Sequence, residues 1–355
     1  MSGTATAAGP LVVAPTRRAG LLPSVRGRLL GLVGAVMLLA LLLAASLAVG
    51  SKPIALGDVL ASFTAFDDTL EDHLIVQSLR LPRTVVAVLV GAALGLAGAL
   101  VQGLTRNPLA DPGILGVSAG AALAVVVGIF FFGVGSLTGY VWFAFLGAAV
   151  TSVGVYALGA VGRDGLTPVK LALAGAAVTA FLTSLTTTVL LVDVATLDQY
   201  RFWAVGSVAG RDMTVVAQVA PFLAVGIVMA LLAGRSLNAL ALGDDVARSL
   251  GARVGASRVF SAVAIVLLVG GATAAAGPIG FVGLTVPHVA RALTGPDYRW
   301  VLAYSAVLAP VLLLAADVLG RVVARPGEVQ VGIVTAVIGA PVFIALVRRR
   351  TLAQV

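Results

Sequence analysis

The chain has 355 residues, of which 60% are hydrophobic and 11% are charged, and its mean hydropathy is +1.10. Soluble domains are about 45–50% apolar and about 25% charged, so this composition excludes a water-soluble globular protein. The sequence contains no cysteine, which excludes disulfides, thiolate catalysis and cysteine-ligated metal sites. The formal charge of +8 fits either a nucleic-acid partner or an oriented membrane protein.

Apolar segments follow each other along almost the whole chain, cut by clusters of charge, proline and glycine. Because a membrane-spanning helix needs about 20 apolar residues, we interpret them as membrane spans. The weakest is the eighth, which Gly277, Pro278 and Pro287 interrupt. The sequence therefore predicts an all-α polytopic membrane protein with about ten transmembrane helices. The predicted spans are 28–50, 82–104, 113–133, 140–162, 168–192, 213–234, 257–276, 279–293, 299–321 and 330–348.

The first apolar segment follows an arginine-rich stretch, as in a signal peptide. Its core, Leu29–Val49, is about 21 residues, which is too long for a signal sequence and long enough to span a membrane. We therefore expect a retained helix preceded by a disordered cytosolic tail over residues 1–27. Residues 28–350 form the predicted ten-helix transmembrane domain, and residues 351–355 form a C-terminal tail.

The charged residues are sorted between the two sides of the predicted membrane. With the N-terminus inside, inside segments hold 16 of the 23 Lys and Arg residues and five of the 15 acids. The resulting net charge is +11 inside and −3 outside. An excess of Lys and Arg marks the cytoplasmic side, so the sequence predicts that both termini are cytoplasmic. The basic balance then reflects topology, and we expect no nucleic-acid partner.

Two common energy sources leave no trace in this sequence. No Asp or Glu lies in the middle of a predicted span, where an ion-coupled transporter usually binds its coupling ion. The phosphate-binding pattern GxxxxGK[ST] is also missing, and the two lysines, Lys52 and Lys170, lie in no such loop. If ATP drives this protein, a separate chain must hydrolyse it.

Small residues and one charged pair give the spans further character. Glycines four residues apart let two helix backbones approach closely, which predicts a tight bundle. The clearest pairs are Gly91 with Gly95 and Gly116 with Gly120. Asp317 and Arg321 are also four residues apart, a spacing that allows an ion pair on one helix.

Five motifs stand out as polar or punctuated by proline, and they are unlike lipid-facing helix. In chain order they are RLPR, RNPLADPGILG, LGDDVARSLG, GPIGFVGLTVPHVAR and GAPVF. Together they resemble the iron-siderophore and cobalamin permease family, the FecCD-type membrane subunits of ABC importers. The stretch PGEVQVG departs from the wording that this family commonly has around Glu328.

The resemblance implies a type II ABC importer permease fold in a bacterial cytoplasmic membrane. It implies a second permease subunit, identical or homologous, and two cytosolic ATPases that bind ATP and Mg²⁺. An extracytoplasmic binding protein would deliver a metal chelate, with a ferric siderophore expected first and haem or cobalamin as alternatives. This chain itself would carry no cofactor and catalyse no reaction.

The resemblance also assigns roles to individual residues. Arg80, Arg83 and Arg321 would dock carboxylates of the binding protein, and the alternative is that they only anchor helix ends. A coupling loop over residues 238–258 would form two short helices against the ATPase, and the alternative is a solvated loop. The coupling residues implied are Leu242, Gly243, Asp244, Asp245, Arg248, Leu250 and Gly251.

Several polar residues near the predicted pathway keep two interpretations each. Thr167 is either part of a cytoplasmic gate or the N-cap of a helix that starts at Pro168. Gln102, Asn107 and His288 are either pathway or packing residues. With one further histidine in an acidic loop and no cysteine, the sequence predicts no metal site.

Two other classes of function remain as alternatives to the importer permease. An ion-coupled secondary transporter of a small organic substrate is disfavoured because the spans lack central carboxylates. A membrane-embedded enzyme would need a catalytic constellation, such as paired carboxylates or HExxH at a span end, and the sequence contains none.

Overall fold

A computed structural model describes residues 20–161 and 167–348 of the chain, and these residues form helices and no strands. The helices are α1 (Val25–Ala48), α2 (Leu56–Thr64), α3 (Glu71–Leu74), α4 (Leu81–Thr105), α5 (Val117–Phe132), α6 (Leu137–Ala160), α7 (Pro168–Val192), α8 (Val194–Ala204), α9 (Met213–Leu232), α10 (Gly234–Leu240), α11 (Asp244–Ser249), α12 (Val254–Ala276), α13 (Val282–Thr294), α14 (Tyr298–Val323) and α15 (Val331–Arg348). A π-helix (Ile75–Arg80) joins α3 to α4, and a 3₁₀ turn (Pro112–Leu115) precedes α5.

Each of the ten predicted spans overlaps one helix, with ends that differ by a few residues. Seven helices in the described residues are long and apolar enough to cross a membrane, namely α1, α4 with its preceding turns, α6, α7, α9, α12 and α14. α5 and α15 are apolar but shorter, and α13, the weakest predicted span, has only 13 residues. The structure therefore confirms an all-helical protein with several membrane-spanning helices.

α4 lies at the centre of the bundle and packs against α9, α12, α13 and α14. Its glycines are the reason that other backbones come so close. A methyl group on Gly98 would lie 1.8 Å from the carbonyl oxygen of Gly283 in α13. Methyl groups on Gly91 and Gly95 would clash with the backbone of α14, at Pro310 and Ser305. The close packing predicted from the glycine spacing is therefore confirmed for α4.

The chain leaves the helical conformation between α12 and α13. Gly277 and Phe281 both have positive φ angles, of 74° and 67°, and α13 begins at Val282. The predicted span 279–293 therefore starts in irregular backbone, whereas Pro287 is accommodated inside α13. Irregular backbone within a membrane protein must be buried in protein or line a water-filled cavity, because lipid cannot satisfy its hydrogen bonds.

The chain entering α1 is held by the end of α13. The backbone N–H groups of Leu21 and Leu22 donate to the carbonyls of Ala292 and Leu293 at 3.0 and 2.8 Å. The predicted tail over residues 1–27 includes residues 20–27, which the structure describes and which lead into α1. Residues 1–19 and the C-terminal tail 351–355 lie outside the described residues.

Candidate functional site

A cluster of charged side chains joins α4 to α14 at the end of the bundle where α1 finishes. At its centre, the Asp317 carboxylate accepts three hydrogen bonds from the Arg83 guanidinium, at 2.8 to 3.1 Å. The other side of Asp317 pairs with Arg321 at 2.6 Å, which confirms the i, i+4 ion pair expected from the sequence. Arg83 also binds Glu328 at 2.7 Å. We refer to these residues, together with Arg80, as the arginine cluster.

Two arginines of the cluster satisfy the backbone at the end of α1. Arg321 donates to the carbonyls of Ser46 and Val49, and Arg80 donates to those of Leu47 and Lys52. The carbonyls of Ser46 and Leu47 belong to the last turn of α1, where arginine is a common way to satisfy unpaired groups, and those of Val49 and Lys52 belong to the chain that follows the helix. Both arginines are buried, with 6% or less of their surface exposed.

The structure therefore brings the three predicted docking arginines together but leaves them unequally accessible. Arg80 and Arg321 are turned toward the backbone of α1. In this conformation, neither guanidinium group is exposed to an incoming binding protein. Arg83 differs, because its partner Glu328 is 43% exposed at the protein surface. Of the three, Arg83 is the one that an incoming carboxylate can reach by replacing a neighbouring group.

The predicted coupling loop lies at the opposite end of α4. α10 and α11 are the two short helices in this region, and the next helical residue is Val254, the first of α12. Gly243 and Gly251 flank α11 with φ angles of 103° and 82°, where a residue with a side chain would be strained. We refer to residues 238–258 as the coupling segment.

Asp244 connects the coupling segment to two long helices. Its carboxylate pairs with Arg106 at the end of α4 and with Arg258 in the first turns of α12, the latter at 2.9 Å. Arg248 of α11 lies 3.9 Å away. By contrast, Asp245 is 99% exposed and pairs with Arg248 of the same short helix. Within the segment, Asp244 is thus the residue whose charge holds separate elements together.

Arg106 is a functional candidate that sequence reasoning did not single out. It ends α4 with a left-handed backbone conformation (φ 50°). Its Nε donates a hydrogen bond of 2.8 Å to the carbonyl of Leu240, the last residue of α10. A non-glycine residue in this conformation is uncommon. The signal in the sequence was its position directly before Asn107-Pro108, where a helix cannot continue.

Gln102 and Asn107, two of the predicted pathway residues, lie in different environments. Gln102 is completely buried and connects α4 to α13 through the carbonyl of Leu284, at 3.2 Å, and the guanidinium of Arg291, at 2.9 Å. Asn107 is exposed, and its side chain accepts from the N–H of Leu109 in a local turn.

Thr167 caps α7 and also borders a cleft. Its hydroxyl accepts a hydrogen bond from the N–H of Lys170 at 3.3 Å, so the N-cap interpretation is confirmed. The cleft has an empty volume of about 490 Å³ and lies between α4, α6, α7 and α12. Its polar lining residues are Thr105, Tyr156, Thr167 and Arg258. A gate position is therefore compatible with the cap, because both use the same end of α7.

The two histidines are far from forming a metal site. His73 is buried and accepts from the N–H of Asp67 at 3.0 Å, whereas His288 in α13 lies beside Pro108 and Phe343. Among the described residues, no group of three His, Cys, Asp or Glu side chains could hold a metal ion.

Burial raises the pKa of Asp111, which caps the 3₁₀ turn through the N–H of Gly113.

Comparison with known proteins identifies the family of this chain. The sequence matches the FecCD transport family over residues 38–349. The chain belongs to the FecCD transport family. This FecCD protein is 46% identical to the ferric enterobactin transport system permease protein FepD of Escherichia coli (strain K12), over 91% of this chain and 96% of that one. It is 42% identical to the Fe(3+)-citrate import system permease protein YfmD of Bacillus subtilis (strain 168), over 91% and 95%.

A solved structure agrees with the family assignment. It is an inward-facing conformation of a metal-chelate type ABC transporter, and the FecCD chain superposes on it with a TM-score of 0.78 at 28% identity. The match covers 89% of this chain and 98% of that one. The FecCD protein is therefore a multi-pass membrane permease of the ABC importer class, as the five sequence motifs indicated.

Proposed function

We propose that this FecCD protein is the permease subunit of an ATP-driven importer of a ferric siderophore. The support is that relatives more than 40% identical over nearly their whole length are permeases for ferric enterobactin, ferric hydroxamate and ferric citrate. The iron enters already chelated, so this chain needs no iron-binding site of its own. Haem and cobalamin remain the alternative chelates.

The proposed topology has ten spans with both termini in the cytoplasm of a bacterium. The charge distribution supports it, with 16 of 23 basic residues on the inside. α13 alone is about 20 Å long, which is shorter than the roughly 30 Å hydrocarbon layer. The irregular residues 277–281 that precede it supply the remaining distance.

The observation that carries ATP coupling is the position of Asp244. The coupling segment exposes three apolar side chains, those of Leu242, Val246 and Leu250, on which a partner subunit can pack. In the same segment, Asp244 is bound to Arg106 at the end of α4 and to Arg258 of α12. A cytosolic ATPase that moves the coupling segment thereby moves two helices of the bundle.

At the opposite face, the arginine cluster is the proposed docking site for an extracytoplasmic binding protein. Arg83 is the contact residue, because guanidinium groups bind carboxylates with two parallel hydrogen bonds. Arg80 and Arg321 contribute positive charge and hold the end of α1 in place. The pathway between the faces lies at the interface with a second permease subunit. Asn107 and Thr167 belong to its inner half, and Gln102, which is buried between α4 and α13, packs behind it.

The experiment that tests this function is uptake by proteoliposomes. The full chain is purified with its copurifying ATPase and binding protein, and uptake of a ⁵⁵Fe-labelled siderophore is measured with ATP inside. We expect uptake that vanadate abolishes and an ionophore leaves unchanged. Uptake that collapses with the ionophore and ignores vanadate would identify an ion-coupled secondary transporter instead.

Docking is tested by reversing the charge of Arg83. The variant Arg83→Glu is expected to lose capture of the binding protein by permease-containing membranes. The matched control is Arg201→Glu, because Arg201 is 60% exposed and its contacts are with neighbours on its own helix, Asp198 and Phe202. Equal capture by the two variants would remove Arg83 from the docking site.

A further inference from the structure

One buried arginine lacks a charged partner in the half of the bundle that holds the coupling segment. Arg291 lies in the last turn of α13 and is 3% exposed. No carboxylate of the described residues lies within 4 Å of its guanidinium. Arginine keeps its charge in proteins, so the free-energy cost of burying Arg291 cannot be reduced by loss of a proton. A buried charge of this kind requires a counter-charge or a dense set of hydrogen bonds.

Two N–H groups and one hydroxyl around this position lack an acceptor at normal hydrogen-bond distance. Arg291 uses one nitrogen on the side-chain oxygen of Gln102, at 2.9 Å, but its Nε and second terminal nitrogen have no partner at that distance among the described residues. The oxygen of Tyr298 contacts the Arg291 guanidinium loosely, its own O–H finds no acceptor in the described residues, and Tyr298 is 1% exposed. The Tyr298 ring centroid lies 6.0 Å from the guanidinium carbon, so both groups belong to one site.

The carboxylates at this end of the bundle are already engaged elsewhere. In the described residues, Asp111 accepts from the N–H of Gly113, Asp244 pairs with Arg106 and Arg258, Asp245 pairs with Arg248, and Asp297 binds Asn238 and Arg299. Asp164 is the only acidic side chain outside the described residues. A carboxylate of a partner subunit is equally unsuited, because 3% exposure leaves it no access to Arg291.

We propose that Arg291 and Tyr298 bind a small inorganic anion of the size of chloride between α4, α13 and α14. The chemistry is that of an anion site, since a fixed positive charge, two N–H donors and one O–H donor meet without an acceptor. Water alone would satisfy the donors but leave the charge without compensation. The bound anion neutralises Arg291 and fixes the end of α13 against the start of α14.

The proposal is tested by chloride-dependent thermal unfolding of the full chain in lipid-containing detergent. Chloride is titrated against gluconate at constant ionic strength, so that general screening stays the same. We expect the Tm to rise and saturate with chloride, as it does when a ligand binds only the folded state. Broadening of the ³⁵Cl NMR signal over the same range reports binding directly. A phosphate series tells whether the site admits a larger oxyanion.

Three variants make the result specific. Arg291→Gln should abolish the dependence of the Tm on chloride. Tyr298→Phe should raise the chloride concentration at half-maximal Tm increase about tenfold, because one hydrogen bond is removed. Arg299→Gln, at a 61% exposed arginine paired with Asp297, should leave it unchanged.

The following results would overturn the proposal. A wild-type Tm that does not depend on chloride would mean that water satisfies the donors. A response to phosphate alone would exclude a small monovalent anion. If Arg291→Gln does not fold, an unchanged midpoint in Tyr298→Phe is sufficient to reject the site.

Discussion

Arg83 has two carboxylate partners, and removing each of them should have very different consequences. Asp317→Asn and Glu328→Gln both replace a charged acceptor of the same guanidinium by a neutral amide of nearly the same size. Asp317 is 1% exposed and also serves Arg321, whose side chain is 5% exposed. Glu328 is 43% exposed and serves Arg83 alone.

The expected magnitudes follow from burial. Removing one partner of a buried ion pair costs about 3–5 kcal/mol, because the remaining charge stays desolvated. In Asp317→Asn two buried guanidinium groups lose their carboxylate, so we expect at least the lower end of this range. A surface ion pair is worth about 0–1 kcal/mol, and Glu328→Gln should stay within it.

The assay is unfolding of both purified variants in mixed micelles, with helicity followed by circular dichroism as the denaturing detergent increases. Asp317→Asn should unfold at a clearly lower detergent fraction than the wild type, and Glu328→Gln should almost coincide with it. Equal losses in both variants, or a larger loss for Glu328→Gln, would refute the view that Asp317 is the centre of the arginine cluster.

Three further substitutions test other contacts. Asp244→Asn should lower the amount of siderophore transported per ATP hydrolysed about tenfold, because charge-assisted bonds to α4 and α12 are lost, whereas Asp245→Asn should match wild type. An unchanged ratio would remove Asp244 from coupling. Gly98→Ala should cost about 1–3 kcal/mol in the same unfolding assay, since its methyl group meets the backbone of α13. Gly34→Ala, with nothing within 4 Å of the new methyl group, is the control, and equal stability would contradict the packing. Thr167→Ala should lose about 1 kcal/mol of stability with the helix cap, and Thr167→Ser should restore it. A loss of the same size in both would mean that the methyl group matters more than the hydroxyl.

The long helices could be predicted from the sequence because their apolar runs exceed what a soluble chain contains. The short helices could not, since α2, α3 and α8 lie in polar, acidic stretches with too few residues for a periodic pattern. α13 was uncertain for a physical reason as well. Pro278 precedes the helix and Pro287 lies inside it, where it removes a backbone donor, and the chain becomes helical only at Val282.

The candidate sites show where a motif identifies residues and where it fails to identify their partners. Arg83 and Asp317 are 234 residues apart, so no local pattern could join them. The family resemblance assigned Arg80 and Arg321 to docking. In the structure both side chains bind carbonyl groups at the end of α1, where a helix C-terminus attracts cations. The motifs contain Arg106 and Arg291 but assign them no role, because their contacts are with residues that only the folded chain brings near.

α4 is the element that relates the two faces of the bundle. Its 25 residues extend about 37 Å, with Arg83 in the first turn and Arg106 at the last. Methyl-sized space is missing along it at Gly91, Gly95 and Gly98, so it cannot bend or slide without moving α13 and α14. In the proposed mechanism, a displacement that an ATPase applies to Asp244 reaches the arginine cluster through these closely packed backbones. The proposal thus places the ATPase and the docked carboxylate at the two ends of a single helix.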